Sequence, residues 1–171
     1  MKKKVALPLL LAIFIGITAS HIRIKPFDAS YLLEIDGRDV DVLGFVQNQW
    51  TSTTRNCKST LRLDSNSNAY REAVQLIKNF SPPSSSNARI MGFWLQSDWA
   101  VVELEFDTLQ PAVVPVHFHN GVPFIQAKAI WSGLTTPWKP APFIRHYMGN
   151  KLPDIPKDLL NCFEPQSQYF K

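Results

Sequence analysis

The sequence predicts an α+β fold: one main helix packed on an antiparallel meander of four or more strands, with short helices at the C-terminal end. Three observations predict it. Apolar residues recur at helical spacing through "SNAYREAVQLIKNF", residues 67–80. Two pairs of alternating segments follow, joined by the turn dipeptides Ser97-Asp98 and Asn120-Gly121. After them, "TTPWKPAP" and "LPDIPK" punctuate the chain with prolines and leave room only for short helices. At 171 residues with 45% hydrophobic and 19% charged side chains, the chain can build one proper core.

The N-terminal residues read as an export signal. Lys2, Lys3 and Lys4 precede an apolar run over residues 5–19. As a helix this run reaches about 22 Å, short of the roughly 30 Å of a bilayer's hydrocarbon core. Thr18, Ala19 and Ser20 supply the small side chains of a cleavage site, so residues 1–20 are expected to be a signal peptide. The alternative is an uncleaved anchor formed by residues 5–19. Residues 21–30 then read as a linker, and residues 31–171 as a single exported domain, periplasmic or secreted.

Tyr31, Leu33 and Ile35 alternate before an Asp36-Gly37 turn, which predicts a hairpin, yet "DVDVLGFVQNQW" equally fits an amphipathic helix. Both readings stay open. The helix over 67–80 is capped in expectation by Ser67 or Asn68. It presents Tyr70, Ala73, Val74, Ile77 and Phe80 on one stripe and stops at "SPPSSS".

Side chains alternate along a strand, so each hairpin sorts into two faces. One face of the first carries Met91, Phe93, Leu95, Ala100, Val102, Leu104 and Phe106. In the second, Val114, Val116, Phe118, Ile125, Ala127, Ala129 and Trp131 share a face. These nearly all-apolar faces are the expected core, with the helix laid over them. The opposite face is mixed, with Trp94, Trp99, Val101, Glu103 and Glu105 on one hairpin and His117, His119, Val122 and Phe124 on the other. Joining the hairpins in a meander while keeping both core faces together predicts Phe106 opposite Val114. Glu103 then lies opposite His117, and Val101 opposite His119. In the C-terminal third, short helices are expected from Pro142 to a left-handed cap at Gly149, and again after Pro156, packed along the sheet edge.

Charge excludes one class of partner. The formal net charge is +4, but three of the basic residues lie in the export segment. The remainder is nearly neutral and is no footprint for nucleic acid. The two cysteines, Cys57 and Cys162, both fall in the exported part and predict a disulfide. Such a bridge contributes up to about 4 kcal/mol in the chain-entropy model.

His117 and His119 form a His-x-His pair on a strand. With Glu103 across the sheet, the set has the three ligands that an open zinc site needs. This metal site is one expectation; a plain cross-strand His–Glu contact is its alternative, and otherwise no cofactor is expected. Catalytic patterns are lacking. "WSGLT" has no preceding glycine for a nucleophile elbow, no glycine loop suits phosphate, and His146 reads as a helix-surface residue. The chain therefore reads as a binding domain more than as an enzyme.

Helix plus meander resembles cystatin-like α+β folds in architecture, and such folds host many functions, so the resemblance transfers none. The expected role is an exported domain that recognises an envelope protein or a small ligand through the aromatic-bearing face. Its contact residues are Trp94, Trp99, Glu103, His117, His119 and Phe124. The alternatives are a metal-dependent hydrolase using His117, His119 and Glu103, or a small secreted inhibitor or immunity-type protein. Membrane contact is expected only through an uncleaved N-terminal segment.

Overall fold

The structure, a computed structural model, describes residues 21–27 and 30–170. The expected signal or anchor over residues 1–20 lies outside them. The fold is α+β, and the chain divides into two compact units, Met1–Val46 and Gln47–Lys171. That boundary falls inside the span read from sequence as one domain.

In the first unit, β1 (Ile22–Phe27), β2 (Ser30–Ile35) and β3 (Arg38–Val40) form an antiparallel sheet. The stretch expected to be a linker is thus a strand, pairing from Ile22 opposite Ile35 to Phe27 opposite Ser30. Asp36 and Gly37 turn β2 into β3 with φ of 50° and 78°, the left-handed pair that a two-residue hairpin needs. Helix α1 (Val42–Thr54) follows at once. The Asp41 carboxylate caps it, accepting the Gly44 N–H at 2.7 Å. Hairpin and helix, open alternatives in the sequence, are both present in succession.

The second unit holds a six-stranded antiparallel sheet. Its order is β4 (Leu61–Arg62), β5 (Arg89–Gln96), β6 (Trp99–Glu105), β7 (Ala112–His119) and β8 (Val122–Ile125), and β9 (Trp131–Ser132) also pairs with β7. Asn120 and Gly121 both adopt positive φ, 53° and 82°, as the Asn-Gly pair predicts. Helix α2 (Asn68–Lys78) lays Tyr70, Ala73 and Ile77 over Phe93, Val102 and Val116. Each large side chain buried there contributes about 1.5–3 kcal/mol. Ser67 takes the N-cap position but makes no capping bond through its hydroxyl.

Three details depart from strict alternation. The pairing shifts by one residue between Ile90 and Gly92. This bulge turns Ile90 toward the α2 core, the role expected of Met91. Strand β8 ends at Ile125, and Ala127–Ala129 close a 3₁₀ turn through the Ala129 N–H to the Gln126 carbonyl. That turn breaks the period of two, so Ala129 and Trp131 pack on the opposite core. The β6–β7 register also differs: Leu104 lies opposite Ala112, Val101 opposite Pro115 and Trp99 opposite His117, a slip of four residues from expectation. An even slip keeps every side chain on its face. This one also brings Ala112 and Val113 into the sheet, where both are buried.

The C-terminal helices α3 (Pro140–Lys151) and α4 (Lys157–Cys162) cover the mixed face; they do not line the sheet edge. Ile144, Met148, Leu159 and Phe163 pack against Trp94, Trp99, Val101 and Val113 to form a second core. Trp94 meets Phe163 edge-on at 4.9 Å. Gly149 is a helical residue inside α3, not its left-handed end. Cys57 and Cys162 are bridged, with Cα atoms 5.7 Å apart across 105 residues of sequence, which fastens α4 to the loop after α1. Arg145, 7% exposed, donates through Nε and Nη2 to the Phe163 carbonyl and through Nη2 to Glu164.

If the α3–α4 layer is a true core, Trp94→Ala lowers the unfolding free energy by about 3–5 kcal/mol, read by urea denaturation. A loss under about 1 kcal/mol would show that the layer does not bury this face.

Candidate functional site

The six residues nominated from sequence do not converge. Trp94 and Trp99 are 3% and 8% exposed, closed off within the second core, so no partner reaches them there. The physical reason is composition. A sheet face bearing two tryptophans and two valines has too much apolar area to leave in water, and α3 and α4 supply the matching stripe. Phe124, 51% exposed, remains on the surface opposite His117.

Glu103 lies opposite Val113, not His117. The four residues from Val113 to His117 put the histidine about 13 Å further along β7. The metal set of His117, His119 and Glu103 is therefore not assembled. Among the described residues, no group of three His, Cys, Asp or Glu side chains is placed to hold an ion.

His117 is engaged by its immediate neighbours. Its ring stacks on Trp99 at 4.4 Å, and its Nε2 lies 2.9 Å from Asp98 Oδ2. The hydrogen bond to His117 holds the Asp98 carboxyl below the usual carboxylate range. His119 is exposed at the hairpin tip, where it shares a shallow polar recess with Glu72, Asp98 and Asn120.

Glu103 is fully buried and has a structural partner: the chain after α4. Its two carboxylate oxygens accept the backbone N–H groups of Gln166 and Ser167 at 2.8–3.0 Å. Next to it, Glu105 accepts the Ser167 hydroxyl at 2.5 Å. Burial pushes the Glu103 carboxyl above the usual range, against the downward pull of the backbone N–H donors.

Besides the polar recess at His119, which measures about 600 Å³, the α2 side of the sheet holds a smaller, apolar cavity. It measures about 330 Å³ and opens where α2 ends. Its floor is Ile77 of α2, Leu104 of β6, and Ala112 and Val114 of β7, all buried. Phe106, Ile125 and Ile130 form the sides. Two connections supply further lining: the turn after α2, which holds Pro82 and Pro83, and the β6–β7 loop ahead of Pro111. Phe80 and Leu109, about half exposed, face each other across the mouth.

Polar atoms in the lining are confined to the rim. Ser81, Ser84, Gln110 and Ser132 are all exposed there. Ser85 is committed internally, accepting the Ser81 N–H at 2.9 Å and donating to the Lys78 carbonyl at 2.8 Å. Among the described residues, no Asp, Glu, His, Lys, Arg, Cys or Tyr lines the cavity. Sequence reasoning missed this site because its residues come from five separate segments. Leu104, Phe106, Val114 and Ile125 belong to the strand faces read as core and Ile77 and Phe80 to the helix stripe, but no sequence signal links them to Ile130, Ser132 or the loop residues.

The Glu103 latch sets a pH dependence. A folded-state pKa raised above the unfolded value gives stability that is present below the unfolded pKa and lost as pH rises through the folded one. Glu103→Gln keeps an oxygen where Oε1 accepts both N–H groups but sets an amide N–H₂ donor against the Gln166 N–H in place of Oε2, costing about 1–3 kcal/mol at low pH. The deficit relative to the parent shrinks as pH rises through the range in which the parent's own carboxyl ionises. Urea titrations of both proteins across this range check it, and a deficit that widens with pH contradicts it.

Compared with protein-family models, curated proteins and solved structures, the chain matches none.

Proposed function

We propose that this chain is an exported binding domain that takes a small apolar ligand into the cavity beside α2. The observation that carries the reading is a cavity of about 330 Å³ with an apolar floor and, among the described residues, no ionisable side chain in its lining. That size lies within the roughly 300–1,000 Å³ of small-molecule sites, and apolar walls with a few polar groups are their usual construction. Acid–base catalysis, or activation of the lining serines as nucleophiles, needs an ionisable neighbour that the described lining does not offer. Binding is therefore the better-supported role.

Export, with the periplasm as compartment, is supported by the apolar N-terminal run after three lysines and by the Cys57–Cys162 bridge. Among the described residues, no helix is long and apolar enough to cross a membrane.

The cavity can be filled from within. Ala112→Phe places a ring over the floor, adding apolar contact in place of empty space. The parent protein is expected to bind the uncharged apolar dye Nile red with a saturable rise in fluorescence. The filled variant is expected to lose that rise while keeping its circular dichroism spectrum and its melting temperature within about 5 °C. Equal dye binding by both proteins contradicts the cavity as the site. So does an absence of saturable binding by the parent.

A further inference from the structure

We infer that the ligand is a neutral amphiphile, an apolar chain or ring system ending in an uncharged hydrogen-bonding head, and that the cavity rejects the corresponding carboxylate. The inference rests on the cavity being the ligand site and adds to it the chemistry of the ligand's two ends.

The apolar end follows from the floor. Ile77, Leu104, Ala112 and Val114 are each 5% exposed or less and offer only hydrocarbon. A polar group seated there would lose its water and gain no partner. The polar end follows from the rim. Ser81, Ser84 and Ser132 place hydroxyls, and Gln110 an amide, around the opening. Among the described residues, none of these four side chains is engaged in a hydrogen bond within the protein. Hydroxyl and amide groups both donate and accept, so they suit an alcohol, ester or amide head that does the same.

Charge decides between neutral and ionised heads. A carboxylate entering an apolar site needs a cation or several converging donors to replace its hydration. Among the described residues, no Lys, Arg or His lines the cavity. Arg89, outside the lining, pairs with Asp107 and Glu105. An ammonium head fares no better, because no carboxylate of the described residues lines the opening.

The test is isothermal titration of the full chain, disulfide intact, at pH 8 with three probes of one chain length: 1-nonanol, nonanoate and nonyltrimethylammonium. Nonanol is expected to bind with one molecule per chain, and the two ions at least about tenfold more weakly. Ser84→Ala with Gln110→Ala is expected to weaken nonanol about fivefold and leave Nile red binding unchanged. Nonanoate or nonyltrimethylammonium binding as tightly as nonanol overturns the neutral-head inference and leaves the cavity reading standing. If none of the probes nor Nile red binds, or if the Ala112→Phe variant binds nonanol like the parent, the cavity reading itself fails. One nonanol per two chains would place the cavity between copies and overturn both.

Discussion

Strand β6 is buried on both of its faces, and the arrangement of the second unit follows from that constraint. Trp99 through Glu103 alternate between two cores, yet all of them are closed to water. A single helix cannot cover both sides of a sheet, so an antiparallel strand of this kind needs two separate helical layers. Helix α2 supplies one layer and the pair α3 and α4 supplies the other. The disulfide at Cys162 and the Glu103 latch at Gln166 and Ser167 then hold the second layer at the C-terminal end of α4 and just beyond it. A buried carboxylate is costly to ionise. Here it is tolerated because backbone N–H groups of the returning chain converge on it.

The two layers differ in how well they fill their side. The α3–α4 layer closes over large side chains, with Trp94, Phe163 and Met148 in mutual contact. Helix α2 is short and ends at Lys78, while β6 and β7 continue past it. The uncovered end of that face is the cavity. Close packing is the rule in protein interiors, so unfilled space walled by Ile77, Leu104 and Val114 is a departure that a bound hydrocarbon would relieve. The same geometry puts polar atoms where the turn and the β6–β7 loop meet water, which is why hydroxyls and an amide surround an apolar interior.

Much of the fold is legible in the sequence because its signals are local. The period of the 67–80 stretch marks α2, the Asn120-Gly121 pair fixes a turn, and alternation sorts Phe93, Val102 and Val116 onto one face. What fails is non-local. The β6–β7 register depends on how the loop at residues 106–111 closes, and parity alone allows slips by two or four residues. Whether Trp94 and Trp99 are surface or core depends on where α3 and α4 dock, and nothing within β5 or β6 reports it. The pairing of Ile22 through Phe27 with β2 was obscured by Pro26, which makes the stretch read as a linker. The site is the least legible part, since a cavity is a property of what the surrounding elements leave unfilled.

Methyl resonances offer the most direct test of the central claim that the α2 side holds the ligand and the α3–α4 side is closed core. With 1-nonanol titrated into methyl-labelled protein, the signals of Ile77, Leu104, Val114 and Ile130 are predicted to shift and saturate. Those of Val101, Val113, Ile144 and Leu159 are predicted to stay in place. Shifts concentrated on the second group, with the first unmoved, would contradict the account.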